Sequence, residues 1–126
     1  MKRVLWISRH QMTGPQLADL ETVLGDTVEL LPWTDTVERV EVLLPQVGAA
    51  DAVAAGLPTD LLARLLPCCG HRPLLQTVAH RVATGNVRTL ADGRQEPEFR
   101  FIHGGWQQIC RLELETRLLS WRSPEA

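Results

Sequence analysis

Short apolar runs alternate with helix-patterned segments from Val4 to Val78, and this alternation constrains the fold more than any other feature. Val4-Leu5-Trp6-Ile7 is continuously apolar, as expected of a strand covered on both faces. It stops at Ser8-Arg9-His10. Thr13 can cap a helix and Pro15 suits its first turn. Leu17, Leu20, Val23 and Leu24 then recur at helical spacing, and Gly25 is a fitting stop. Thr27 to Trp33 predicts a second strand. Asp35 or Thr36 can cap a second helix carrying Val37, Val40, Leu43 and Leu44, which Pro45 ends or kinks. Asp51 to Leu57 predicts a strand of small residues, suited to the centre of a sheet packed closely by helices. Pro58 closes it. Thr59 or Asp60 caps a third helix through Leu61, Leu62, Leu65 and Leu66, ending near Pro67-Cys68-Cys69-Gly70. Pro73 to Val78 predicts a fourth strand. The order β-α-β-α-β-α-β calls for a short parallel sheet with right-handed crossovers and helices on both faces.

The last third changes character. Asn86–Leu90 and Glu98–His103 flank Asp92-Gly93, the signature of a β-hairpin. Beyond them Cys110, Leu112, Leu114, Thr116 and Leu118 alternate with Arg111, Glu113, Glu115 and Arg117. That period predicts a final strand with one buried and one wet face, Trp121 packing over its end, and frayed last residues. The fold class expected is α/β. One domain spans 1–126, with a βαβαβαβ core over 1–85 and a hairpin and final strand over 86–120. A chain of 126 residues with 44% hydrophobic residues matches one ordered domain.

Charge and composition remove several functions. The formal net charge is −2 and no block of lysines or arginines marks a face for duplex DNA. No apolar run approaches the roughly 20 residues that span a bilayer. Met1-Lys2-Arg3 is followed by only a short apolar run before Ser8, too short for a secretion signal, so a cytoplasmic protein with no membrane contact is expected. Cys68, Cys69 and Cys110 make a poor disulfide framework and read as reduced thiols.

Ligands of open parallel sheets bind beyond the carboxyl ends of the strands. The loop after the first strand offers Ser8, Arg9, His10, Gln11 and Thr13. The loop after the third offers Gly56 to Thr59. The segment after the fourth offers His80, Arg81, Thr84, Gly85 and Asn86. These loops are rich in donors and hold no carboxylate before Asp60, which suits an anion such as a phosphate or phosphodiester. Helix N-termini behind the first and third strands add partial positive charge. Ordinary loop composition explains Ser8-Arg9-His10 equally well, and His80-Arg81 equally reads as a solvated strand end.

Dinucleotide, P-loop and GxSxG signatures are absent. Cys68-Cys69-Gly70-His71 is at most half a metal site, and its spacing to Cys110, His10, His80 or His103 matches no standard pattern; no metal and no cofactor is expected. His103-Gly104-Gly105-Trp106 reads first as a corner whose tryptophan fills the core, and second as a base-stacking platform.

The stretch Ile7-Ser8-Arg9-His10-Gln11-Met12-Thr13-Gly14-Pro15-Gln16-Leu17 resembles the strand-loop-helix opening of small CRISPR-associated proteins with a CARF-like, Rossmann-like fold. Those openings carry a Ser-His pair after the first strand and a Leu/Met-Thr-x-x-Gln helix start. Thr77 to Arg81, and Asp92-Gly93 leading to Phe101-Ile102-His103, follow in similar order. The chain departs from the pattern in placing Arg9 between Ser8 and His10, in Gly104-Gly105-Trp106 and in its long expected final strand. The resemblance implies a homodimer with facing switch-point edges, binding a cyclic oligoadenylate messenger of antiviral defence across its axis. It implies that some members are ring nucleases, which cut the messenger without metal by 2′-OH attack on the adjacent phosphodiester. In that role Arg9 and Arg81 would stabilise developing charge, and His10 or His80 would act as acid or base. Ser8, Thr13 and Thr84 would supply neutral donors. Gln11, Gly56, Thr59, Gly85 and Asn86 complete the candidate binding set. Two other readings compete: a non-catalytic sensor or sequestering module using the same pocket, and an interaction protein whose final strand pairs with a partner or with itself.

Overall fold

A computed structural model of the protein describes residues 1–124. The strands are β1 (Lys2–Ile7), β2 (Val28–Trp33), β3 (Ala52–Ala55), β4 (Leu74–Thr89) and β5 (Gln95–Gln108). The helices are α1 (Gly14–Leu24), α2 (Leu44–Gly48) and α3 (Thr59–Leu65), with 3-10 turns at Val40–Leu43 and Leu66–Cys69. The five strands form one mixed α/β sheet in the order β2-β1-β3-β4-β5. The first three pairings are parallel and β4 pairs with β5 antiparallel.

Side chains of a strand alternate between faces, and β1 uses both. Val4 and Trp6 join Ala52, Ala54 and Leu75 beneath Leu20 of α1. Leu5 and Ile7 join Val53, Ala55 and Leu74 beneath α2 and α3, through Val47, Leu61, Leu62 and Leu65. Helices therefore cover both faces, as the unbroken apolar run in β1 requires. All four residues of β3 are buried, so only small side chains let both helical layers approach. The expected cap of α1 is present as a capping box: Thr13 Oγ1 accepts from the Gln16 amide and Gln16 Oε1 accepts from the Thr13 amide.

Three expectations about the core and the arm are corrected. Pro45 neither ends nor kinks a helix, because it sits in the first turn of α2, where its missing N–H has no partner to lose. The fourth strand does not stop at Val78. It runs without a break to Thr89 and, with β5, forms an arm that extends past the carboxyl end of β3. The Asp92-Gly93 turn does close this hairpin, with Gly93 at φ 85° and the Leu90 amide bonded to the Arg94 carbonyl at 2.8 Å. His103-Gly104-Gly105-Trp106 lies inside β5, not at a corner.

The final strand does not form within the chain: residues 110–123 have no regular structure. A strand needs a hydrogen-bonding neighbour, and β5 leads straight into this segment with no turn to fold it back. The last ladder-like contact is the Ile109 amide on the Leu74 carbonyl at 2.8 Å. Trp121 is 71% exposed, so it covers nothing. The expected fraying concerns the last residues, of which 125 and 126 lie outside the described residues. No helix among the described residues is long and apolar enough to cross a membrane.

All three cysteines are free thiols, and they differ in burial. Burial pushes the Cys69 thiol up to about 11, with charge at Cys68 adding to the rise and Arg72 opposing it. A raised thiol pKa keeps its stabilising contribution below the unfolded value and loses it as pH climbs through the folded one. A thiol-reactive disulfide reagent at mildly alkaline pH should modify Cys68 and Cys110 in the native protein. Cys69 should react only on unfolding or as pH approaches 11. Three equally fast thiols would contradict this packing.

Candidate functional site

In this strand order β1 lies between β2 and β3, so the chain leaves β1 on one side and returns on the other. Loops that diverge in this way open a crevice at the carboxyl edge. A cavity of about 320 Å³ lies there, lined by Ser8, Arg9 and His10 after β1, Asp35 and Thr36 after β2, and Gly56 after β3. Leu57, Pro58 and Leu61 complete its apolar floor.

Main-chain and side-chain bonds tie the three loops together. The Ser8 amide donates to the Trp33 carbonyl at 3.1 Å, and the Gly56 amide to the Ile7 carbonyl at 2.8 Å. The His10 amide donates to Ser8 Oγ at 3.1 Å. From below, Trp6 Nε1 donates to the His10 carbonyl at 2.9 Å, so a core tryptophan fixes the height of the loop. The Arg9 guanidinium donates to the Thr36 hydroxyl. Among the described residues Arg9 forms no ion pair, although Asp35 lines the same cavity. The site therefore holds an exposed cation positioned by a neutral group, next to hydroxyl and imidazole donors.

The candidate residues divide into separate groups. Ser8, Arg9, His10 and Gly56 converge on the cavity. Gln11 lines an adjoining recess with Trp6 and Met12. Thr13 is the α1 cap and its hydroxyl is engaged there. Thr59 opens α3 and borders a hollow with Gln76, Gln107 and Cys110.

His80, Arg81, Thr84, Gly85 and Asn86 are not in a loop at all; they lie along the arm. β1 and β4 do run in the same direction, with β3 between them. However, β4 does not end at the sheet edge. His80 lies four residues beyond Gln76, roughly 13 Å further along the strand. Its ring packs on Gly104, where an added Cβ would sit 2.6 Å from it. Arg81 lies 4.1 Å above the Phe99 ring. Thr84 accepts from the Asn86 amide at 3.2 Å, and Gly85, at φ 84°, occupies an irregularity in the arm. No described contact joins these residues to His10.

Two features were missed in the sequence. The loop after β2 also belongs to the carboxyl edge, so the site does contain a carboxylate ahead of Asp60, at Asp35. Its signal was present, since every loop after a parallel strand opens on that edge, but Asp35 and Thr36 read as a helix cap. The second feature is the pair His103 Nε2 and Asp19 Oδ2 at 2.9 Å. With Trp106 Nε1 donating to the Gln16 carbonyl at 2.9 Å, it fastens the base of the arm to α1. Trp6 and Trp106 meet edge to face at 6.0 Å beside it, so Trp106 belongs to the core. Nothing local in the sequence joins residues so far apart.

No family model matches the chain, and no curated protein or solved structure matches it either.

The Asp19–His103 pair yields a direct prediction. Asp19→Asn should cost about 1 kcal/mol, seen as a lower urea midpoint with an unchanged slope. An unaltered midpoint would show that α1 does not hold the arm through this contact.

Proposed function

We propose that the chain binds a cyclic oligoadenylate, with one phosphodiester seated between Ser8-Arg9-His10 and Gly56. Arg9 carries this reading. Its guanidinium is positioned by the Thr36 hydroxyl, forms no ion pair among the described residues, and stands at the edge where parallel sheets take their ligands. An anion there gains a charge-assisted bond without breaking an existing ion pair. The CARF-like, Rossmann-like resemblance supplies the ligand class, since Ser8 and His10 stand where that family carries its Ser-His pair. A cavity of about 320 Å³ is at the small end for ligand pockets, so it takes part of a ring. The remainder of the ring is assigned to a facing copy in a homodimer. Free thiols suit the cytoplasm, and antiviral defence is the role that the resemblance suggests.

Binding without cleavage is the better supported form. In a ring nuclease the 2′-OH attacks phosphorus, a base takes its proton, the P–O5′ bond breaks, and the departing oxygen takes a proton. Of Arg9, His10, His80 and Arg81, only Arg9 and His10 border the cavity. Within one copy only His10 could serve a proton transfer, so the second transfer would fall to His10 of the partner subunit. Binding needs neither transfer, and a sensor or sequestering module is therefore the simpler reading than a metal-independent nuclease.

The test is incubation with a panel of cyclic oligoadenylates in EDTA, followed by chromatography. One ligand should be retained and recovered intact, and Arg9→Ala should weaken its binding roughly tenfold to a hundredfold. Linear products ending in a cyclic phosphate would establish cleavage instead. No retention of any ligand would remove the nucleotide reading.

A further inference from the structure

The segment after β5 keeps a strand's pattern yet pairs with no strand among the described residues. On the apolar face Leu112 is half-buried against the core while Leu114 and Leu118 are 56% and 74% exposed; Leu119 and Trp121 lie on the charged face and are exposed as well. The ladder to β4 ends with the Ile109 amide on the Leu74 carbonyl, and Arg111 and Glu113 form an ion pair on the charged side. Period-2 alternation specifies a half-buried strand. A strand whose neighbour is absent from its own chain must find it elsewhere.

We propose that the neighbour is the same segment of a second copy, paired antiparallel about a two-fold axis through Thr116. The sequence around that residue, Leu114-Glu115-Thr116-Arg117-Leu118, is self-complementary when reversed. On that axis Leu114 faces Leu118 of the second copy, Glu115 faces its Arg117, and Thr116 faces Thr116. Each pair type stabilises a ladder, and each of the first two occurs twice by symmetry. Further out, Arg111 faces Trp121 of the second copy, a cation over an aromatic face. Glu113 faces Leu119, and Leu112 faces Ser120. No like charges stand opposite each other.

Neighbouring registers do worse. Axes on Glu113, Glu115 or Arg117 put one charge on its twin. An axis on Leu114 sets Arg111 against Arg117 and Glu113 against Glu115. A one-residue offset between the strands would also turn apolar side chains to the wrong face. This interface does not depend on the nucleotide reading, since it uses none of the residues around the cavity.

The test is sedimentation equilibrium on the full chain with three variants. All three change exposed side chains, so the fold should survive, as far-UV circular dichroism can verify. Without any nucleotide present, the unaltered protein should be dimeric through this segment. Glu115→Arg sets arginine against Arg117, and Arg117→Glu sets glutamate against Glu115. Each should raise the dimer dissociation constant about tenfold. The double variant Glu115→Arg with Arg117→Glu restores opposite charges and should restore the dimer. A monomer at every concentration would overturn the proposal. So would single variants that dimerise like the parent, or a double variant as weak as the singles.

Discussion

The burial of β1 on both faces is the constraint on which the rest depends. Val4 and Trp6 anchor one core and Leu5 and Ile7 the other. Such a strand must have neighbours on both edges and helices on both sides, and short connections supply them by leaving to β2 and returning to β3. The crevice at its carboxyl end follows from that route. The first loop is not free to move away, because Trp6 is at once part of the core and the donor that holds the His10 carbonyl. Packing and site geometry therefore meet in one side chain.

The arm is the second organising element. Because β4 continues instead of stopping, residues that would have closed over the crevice are carried outward with it. Gly104 makes this possible at one point, since the bulge between Val78 and Ala79 leaves room for the His80 ring only if residue 104 has no Cβ. Asp19, His103 and Trp106 anchor the arm to α1 on the face opposite α2 and α3.

The parallel core was legible because each signal was local: an apolar run, a cap, a proline in a first turn, a glycine stop. The Asp-Gly turn was legible for the same reason. What could not be read was where one strand ends. Thr84-Gly85-Asn86 has the composition of a loop, and only the pairing of its flanks with β5, Ala83 with Phe99 and Val87 with Pro97, carries the strand past it. The last segment shows the converse error. Its alternation is real, but a pattern reports which face a strand would bury, not whether a neighbour is present. Edge logic alone picks out Ser8, Arg9, His10 and Gly56, and the structure brings these four to one cavity. Asp35 and Thr36 escape that logic because they also look like a cap, and His80 joins the first loop only if its strand ends at Val78, whereas β4 runs on to Thr89.

The β1–β3 crevice, and not the arm, is proposed to receive the ligand. Backbone amide shifts on titration with cyclic tetra-adenylate test it most directly. Shifts should concentrate at Ser8 to His10, Thr36, and Gly56 to Leu57, leaving Thr84 to Asn86 unmoved. Shifts confined to the arm, around Arg81 and Phe99, with the first loop silent, would contradict the claim.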